Sequence, residues 1–214
     1  MDGLKGRPKA KPPYALDAFL AARDGVRRRM DAAAQAQRET RPIPVDETFN
    51  EIKSGLSELG LFNDESLLLI TQGSVRIVLD ATGQVVTTAL FNRVNAPLAF
   101  FSWGPFSREY SAKRRPLKAS TDDMAQMFGA AIPYVRRPER PANAYLIVDQ
   151  GFVVTGRYPS ELVAAAILVE KGCRTELLAP SIGTVNHLPA LLAAAERAVY
   201  LAAYSKGEKE AHDV

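Results

Sequence analysis

The sequence is poor in the residues that most often bind metals or form disulfide bonds. Its 214 residues include one cysteine and two histidines. The single Cys173 leaves no internal disulfide to form and favours a reducing compartment. The opening MDGLKGRPKAKPP has no apolar segment behind its positive charges, which argues against a secretory signal. No apolar run approaches the roughly 20 residues of a membrane-spanning helix. We therefore expect a cytoplasmic protein with no membrane segment.

The sequence also has little excess of charge of either sign, since its net charge is +3. Basic residues are dispersed except in four short clusters, at residues 5–11, 27–29, 113–118 and 136–140. A nucleic-acid-binding protein usually concentrates its positive charge on one face. We interpret the clusters as solvated loops and expect no nucleic-acid partner. A phosphate-backbone site on these clusters is the alternative.

The length suits one domain with a sizeable core, preceded by an extension. Residues 1–40 are predicted to form a basic N-terminal tail and an extra helix that packs on a neighbour. The sequence Arg41-Pro42-Ile43-Pro44 breaks that helix. The domain proper is predicted over residues 41–214.

Apolar spacing and turn residues predict the elements of this domain. We expect helices at 46–59, 121–129 and 160–178, the first capped by Asp46 and the last by Ser160. Strands are expected at 67–71, 98–103, 144–148 and 152–155, with a hairpin of 75–79 against 84–90. A final helix begins at Pro189 and is predicted to face inward through Leu191, Leu192, Ala195 and Val199. This order predicts an α/β fold with a mostly antiparallel central sheet covered by helices.

The segment 144–171 contains a strand, the turn Asp149-Gln150-Gly151, a second strand and a long helix with Glu170. It resembles the C-terminal signature of the class II aldolase/adducin family. Residues 122–135 resemble another family segment, 99–103 falls where the family has a strand ending His-x-His, and 69–74 resembles its Ile-Thr-Pro-Ser-Gly loop. The resemblance covers residues 45–205. It implies a three-layer α/β/α class II aldolase-like fold and a homo-oligomer, a tetramer.

The departures from the family concern its metal site. In the family, three histidines hold a divalent metal, and their positions here are Phe101, Trp103 and Gln150, with Asp149 beside the last. Phenyl and indole rings offer a metal no suitable lone pair. The family's catalytic acid falls in residues 83–90, which contain no acid. The resemblance therefore implies a degenerate metal site with no metal and no cofactor, where aromatic rings fill the cavity or line a reshaped apolar pocket.

Two further groups of residues are candidates for binding. Gln72, Gly73 and Ser74 could bind an anion through backbone N–H groups, or form a plain tight turn. The aromatic and basic run around Phe106, Arg108 and Tyr110 is interpreted as a subunit interface, with single-stranded nucleic acid or a phosphorylated ligand as the alternative.

Two single residues have a structural and a functional interpretation. His187 is expected to border the last helix, and the alternative roles are a general base or a lone metal ligand. Cys173 is expected in the core rather than as a nucleophile.

Together these features predict a pseudoenzyme: a non-catalytic, homo-oligomeric binding or interaction protein that takes a small-molecule ligand. The alternative is a metal-independent lyase- or epimerase-type enzyme acting on a small carbonyl or sugar-phosphate substrate. A phosphate- or nucleic-acid-binding module is the third hypothesis.

Overall fold

A computed structural model describes residues 44–139 and 141–212. The predicted tail and helix of residues 1–40 lie outside this range. The five helices of the described residues are α1 (Val45–Ser57), α2 (Pro105–Ser111), α3 (Asp122–Phe128), α4 (Pro159–Leu178) and α5 (Ala190–His212), with a 3₁₀ turn at Ala179–Ser181. The strands are β1 (Leu67–Gln72), β2 (Val75–Asp80), β3 (Leu98–Ser102), β4 (Leu117–Lys118), β5 (Ala131–Ile132), β6 (Tyr134–Val135), β7 (Ala144–Ile147) and β8 (Gly151–Gly156).

Six strands form one sheet in the order β2-β1-β3-β8-β7-β6, and β4 pairs with β5 separately. Every pairing in the large sheet is antiparallel except that of β6 with β7. The predicted α/β fold with a mostly antiparallel sheet is confirmed. The four expected strands other than the hairpin are all present, within one or two residues of their predicted ends.

The side chains of the central strands alternate between two apolar clusters, as the two-residue period of a strand requires. Phe100, Phe152 and Val154 belong to the larger cluster, which packs under the helices. Phe101 and Val153 point to the other face, where a smaller cluster also contains Phe91 and Val94 from the segment after β2. The central strands are therefore buried on both faces.

Two predicted helix starts are wrong by one or two residues. Helix α1 begins at Val45 after Pro44, so Asp46 lies in the first turn instead of capping it. Helix α4 begins with Pro159 after Tyr158, so Ser160 is already inside the helix. Proline is well suited to the first helical position because its missing N–H would have no intrahelical partner there. Thr121 caps α3, accepting a hydrogen bond from the Met124 N–H.

The predicted hairpin of 75–79 against 84–90 is present only next to its turn. The Leu79–Val85 bridge is flanked by hydrogen bonds from the Asp80 N–H to the Gln84 carbonyl oxygen and from the Val86 N–H to the Val78 carbonyl oxygen, both at 2.9 Å. Along its whole length, strand β2 pairs with β1 through the tight turn at Gly73, whose φ is 58°. The Arg76 guanidinium donates hydrogen bonds to the carbonyl oxygens of Phe91 and Val94. The segment after β2 thus pairs with that strand over a few residues and is then held across the face of the sheet.

Helix α5 has the opposite orientation to the one predicted. Leu191 is 76% exposed, Leu192 48% and Val199 58%, and Ala195 is exposed too. The face towards α3 is formed by the fully buried Ala193 and by polar side chains of the helix. The apolar spacing marked a helix correctly, but it did not identify the side that packs inward.

Among the described residues, no helix combines the length and apolar character needed to cross a bilayer.

Candidate functional site

The resemblance predicts that Phe101, Trp103 and Gln150 lie together, and the strand pairing brings their positions to one corner of the sheet. Strand β3 ends at Ser102, which pairs with Phe152 at the start of β8. We call residues 101–103 and 149–151 the β3–β8 corner. A Cβ atom placed on Gly151 would lie 2.4 Å from the Ser102 carbonyl oxygen and 2.7 Å from the Trp103 Cβ. Only glycine allows the turn and the end of β3 to come this close.

Trp103 dominates the β3–β8 corner. Its ring is half-buried, and its Nε1 donor is buried without a hydrogen-bond partner in the described part of the chain. The guanidinium carbon of Arg108 lies 4.5 Å from the ring centroid, and Arg108 Nη1 lies 3.8 Å from Glu65 Oε1. A cation over an indole ring stabilises the pair by about 0.5–1 kcal/mol at an exposed site. The corner thus presents an aromatic ring and a cation, while the unpartnered N–H donor of the ring is buried.

The residues of the β3–β8 corner do not fit a divalent metal. The Phe101 ring is buried in the smaller apolar cluster, and neither it nor Trp103 carries a ligand atom. Gln150 supplies one amide oxygen, and the neighbouring Asp149 forms an ion pair with Arg114 at 3.2 Å. Over residues 44–139 and 141–212, no three His, Cys, Asp or Glu side chains are grouped closely enough to hold a metal ion. A zinc site needs at least three protein ligands.

Next to the Trp103 carbonyl group, the side chains of Asn63, Ser66 and Ser102 form a hydrogen-bonded network. Asn63 Nδ2 donates to Ser102 Oγ at 3.1 Å and to the Trp103 carbonyl oxygen at 2.8 Å. Ser102 Oγ donates to the Leu61 carbonyl oxygen at 2.6 Å, and Ser66 Oγ lies 3.0 Å from it. The network fixes the segment before β1 to the end of β3, which leaves the Ser102 hydroxyl poorly placed as a nucleophile.

The candidate anion-binding turn Gln72-Gly73-Ser74 lies at the other end of the sheet. Ile70 of β1 pairs with Leu98 at the start of β3, whereas the β3–β8 corner begins three residues further along the strand. At about 3.4 Å per residue, the turn is on the order of 20 Å from Trp103. Any anion bound there would belong to a separate site.

The structure corrects the predicted interface at Tyr110. Tyr110 is 1% exposed within the protomer, and its hydroxyl donates to the Pro116 carbonyl oxygen at 3.2 Å. Burial is the main reason why the pKa of Tyr110 is raised. Phe106 packs partly against the core, under the guanidinium of Arg174. Of the three predicted interface residues, Arg108 alone is well exposed, and it is engaged with Trp103.

Glu170, which the sequence marked only as the glutamate of the resembled long helix, is a positioning residue. Its two carboxylate oxygens accept hydrogen bonds from the backbone N–H groups of Phe106 at 2.8 Å and Ser107 at 3.0 Å. These are donors of the first turn of α2, which have no partner inside the helix. Because α2 starts two residues after Trp103 and carries Arg108, Glu170 of α4 helps to set the geometry of the corner.

His187 borders the last helix, as predicted, and it is paired with a buried acid. Its Nε2 forms a short hydrogen bond with Glu176 Oε1, and Glu176 Oε2 lies 3.3 Å from Arg115 Nη2. The Glu176 side chain is 6% exposed and the His187 side chain 30%. Cys173, one turn before Glu176 on α4, is fully buried, and burial together with two nearby carboxylates raises the pKa of its thiol. The core interpretation of Cys173 is thereby supported.

Comparison with solved structures confirms the resemblance at the level of fold. An L-fuculose 1-phosphate aldolase aligns over 71% of this chain and 94% of its own, with a TM-score of 0.54 and 16% identity. The L-fuculose 1-phosphate aldolase from Glaciozyma antarctica PI12 aligns over 79% and 92%, with a TM-score of 0.56 and 14% identity. YgbL from Klebsiella pneumoniae aligns over 70% and 95%, with a TM-score of 0.50 and 14% identity.

The chain thus has the class II aldolase fold. Comparison of its sequence with family models and with curated proteins gives no match.

Proposed function

We propose that this protein uses the class II aldolase fold as a cytoplasmic, homo-oligomeric binding protein and does not perform metal-dependent aldol chemistry. The proposal rests on the residue types at the β3–β8 corner. Side chains without metal ligand atoms occupy two positions where the resembled family has histidines, and an amide occupies the third. A lone amide oxygen cannot hold a metal that would polarise a carbonyl group.

The same corner supports a small-molecule ligand. Trp103 offers a half-buried aromatic face, and the guanidinium of the exposed Arg108 stacks on its ring. A planar ligand with an anionic oxygen matches these two groups, because an aromatic face stacks and a guanidinium pairs with carboxylates. Aromatic carboxylic acids are therefore suitable probes.

Elemental analysis and metal titration test the loss of the metal site. Full-length protein should contain less than a stoichiometric amount of transition metal, and Zn²⁺ should give no saturable heat at the β3–β8 corner. The matched control is Phe101→His/Trp103→His/Gln150→His, which restores imidazoles at the three positions and should bind Zn²⁺ if it folds. One tightly bound metal per wild-type chain would contradict the proposal.

Thermal-shift measurements test the ligand. Aromatic carboxylic acids and sugar phosphates are compared on the wild type and on Arg108→Ala and Trp103→Ala. A ligand at 100 times its dissociation constant stabilises the fold by about 2.7 kcal/mol. We expect a shift that both substitutions abolish. A shift that survives both would place the ligand elsewhere.

A metal-independent enzyme remains the second candidate because of one observation. Glu176 and His187 form a pair in which a buried carboxylate orients a partly exposed imidazole, the arrangement of many general bases. Lyase or epimerase activity on small carbonyl or sugar-phosphate substrates that falls at least 100-fold in His187→Gln would support this candidate. Activity unchanged by that substitution would remove His187 from consideration.

A further inference from the structure

Over residues 190–202, helix α5 turns an entirely apolar face outward, although it belongs to a chain in which about a quarter of the residues are charged. Over residues 190–202, every exposed position is alanine, leucine or valine. The inward face carries the polar residues: Arg197 Nη1 donates to the Gln126 carbonyl oxygen at 2.6 Å, and Gln126 Nε2 donates to Glu196 Oε2 at 3.1 Å. Exposed apolar patches of this kind mark interaction surfaces.

The outward residues follow the spacing of a helix–helix seam. Leu191, Ala195, Ala198 and Ala202 are separated by four, three and four residues, which is the repeat of a coiled-coil core. Leu192 and Val199 flank this row and are also exposed. Three alanines in the seam allow a second helix to approach closely. The row therefore fits another α-helix better than it fits a small ligand.

We propose that the partner is α5 of a second copy of this chain, packed antiparallel across a two-fold axis between Ala195 and Ala198. In this arrangement Leu191 of each copy faces Ala202 of the other, so a large side chain meets a small one. A two-fold contact brings identical surfaces together and would juxtapose like charges. The exposed face of residues 190–202 carries no charged side chain, so two copies can meet there without repulsion. A charged partner of another kind would find no opposite charge on this face.

The size of this face predicts a reversible contact. Thirteen helical residues span about 20 Å at a width of about 10 Å, which gives a footprint on the order of 200 Å² per copy. A standard stable interface buries about 800 Å² on each partner. We therefore expect an association that depends on protein concentration.

Sedimentation velocity of the full chain over a wide concentration range tests this contact. The wild type should shift from monomer to dimer or higher oligomer, and Ala195→Glu should raise the dissociation constant at least tenfold. Glutamate is a good helix former, so this variant should fold normally, and circular dichroism checks this. Val85→Glu is the matched control, because Val85 is 73% exposed outside α5 and should leave association unchanged.

Crosslinking provides an independent measurement. Ala195→Cys should yield covalent dimers with a short bismaleimide, while Val85→Cys should not, and native Cys173 is buried. A wild type that stays monomeric at every concentration would overturn the proposal. So would association equally strong in Ala195→Glu, or equal crosslinking of both cysteine variants. Oligomers that persist in Ala195→Glu overturn this contact and leave the proposed function intact, whereas a wild type that is monomeric at every concentration overturns the homo-oligomeric part of the proposed function as well. Metal and ligand binding are measured independently of both.

Discussion

The Glu170 carboxylate occupies the space that a side chain on Gly104 would need. A Cβ atom on Gly104 would lie 2.5 Å from Glu170 Cδ and 2.6 Å from each carboxylate oxygen. The φ of Gly104 is −121°, so steric room rather than backbone conformation requires glycine here. This proximity lets a side chain of α4 satisfy the first N–H groups of α2.

We expect Gly104→Ala to destabilise the fold by about 1–3 kcal/mol, because the methyl group displaces the carboxylate and leaves two N–H groups unsatisfied. Urea unfolding followed by circular dichroism measures the loss. In a Glu170→Ala background the obstructing group is gone, so Gly104→Ala should cost clearly less. Equal costs in both backgrounds would show that the two residues are not coupled.

Asp80 should titrate below its usual range. Its carboxylate accepts hydrogen bonds from Thr82 Oγ1 at 2.7 Å, Thr82 N–H at 2.8 Å and Gln84 N–H at 3.0 Å. The Thr82 hydroxyl is the first cause of the lowered pKa of Asp80, followed by the Gln84 N–H. A lowered folded-state pKa means that this stabilisation is present above the unfolded value of 3.8 and is lost as the pH falls through the folded value.

NMR titration of the Asp80 carboxyl carbon tests this statement. The midpoint should lie below 3.8 in the wild type and move back towards 3.8 in Thr82→Val. In Asp80→Asn, the acid-induced loss of stability should be smaller over the same pH range. An unchanged midpoint in Thr82→Val would mean that the hydroxyl contributes little to the shift.

Trp103→Phe should be nearly neutral for stability. The substitution keeps an aromatic ring under Arg108 and removes the buried, unpartnered Nε1 donor. We expect a change within about 1 kcal/mol, whereas Trp103→Ala should cost about 2–3 kcal/mol because the ring is half-buried. Chemical denaturation of the three proteins provides the comparison. A large loss in Trp103→Phe would indicate that Nε1 has a partner in solution.

Cys173 should be unreactive in the native protein. Burial is the main cause of its raised thiol pKa, and the nearby carboxylates of Glu170 and Glu176 add to it. Since the thiolate is the reactive form, a disulfide reagent should modify Cys173 at least 100-fold more slowly in native protein than in urea. Glu176→Gln removes one of the carboxylates but not the burial, so modification should remain slow. Rapid modification of the native chain would contradict the core assignment.

The sequence predicted the strands well because their apolar runs are distinct and bounded by turn residues. It did not predict that β2 pairs along its whole length with β1, and it extended the pairing with 84–90 beyond the few residues next to the turn. The outward face of α5 was also missed. Spacing reveals that a helix has an apolar side, but it does not say whether that side faces the core or another molecule.

The candidate site was predictable only through the resemblance. The register of β3 with β8 brings the positions of Phe101, Trp103 and Gln150 together as that resemblance implied. Asn63 and Glu170 act through hydrogen bonds to residues 39 and 64 positions away in the sequence. Arg108 acts by stacking on the Trp103 ring. No local pattern marks such contacts. The turn at Gly73 lies far from the β3–β8 corner because β1 runs antiparallel to β3. The end of β1 is therefore next to the start of β3, whereas the corner is at the end of β3.

The two edges of the large sheet have a consequence for how another strand could join it. The outer edge of β2 is partly covered by the segment that follows it, through the Leu79–Val85 bridge and the hydrogen bond from the Val86 N–H to the Val78 carbonyl oxygen. The opposite edge is β6, which has two residues and offers little backbone to pair with. A foreign strand therefore finds little free backbone at either edge.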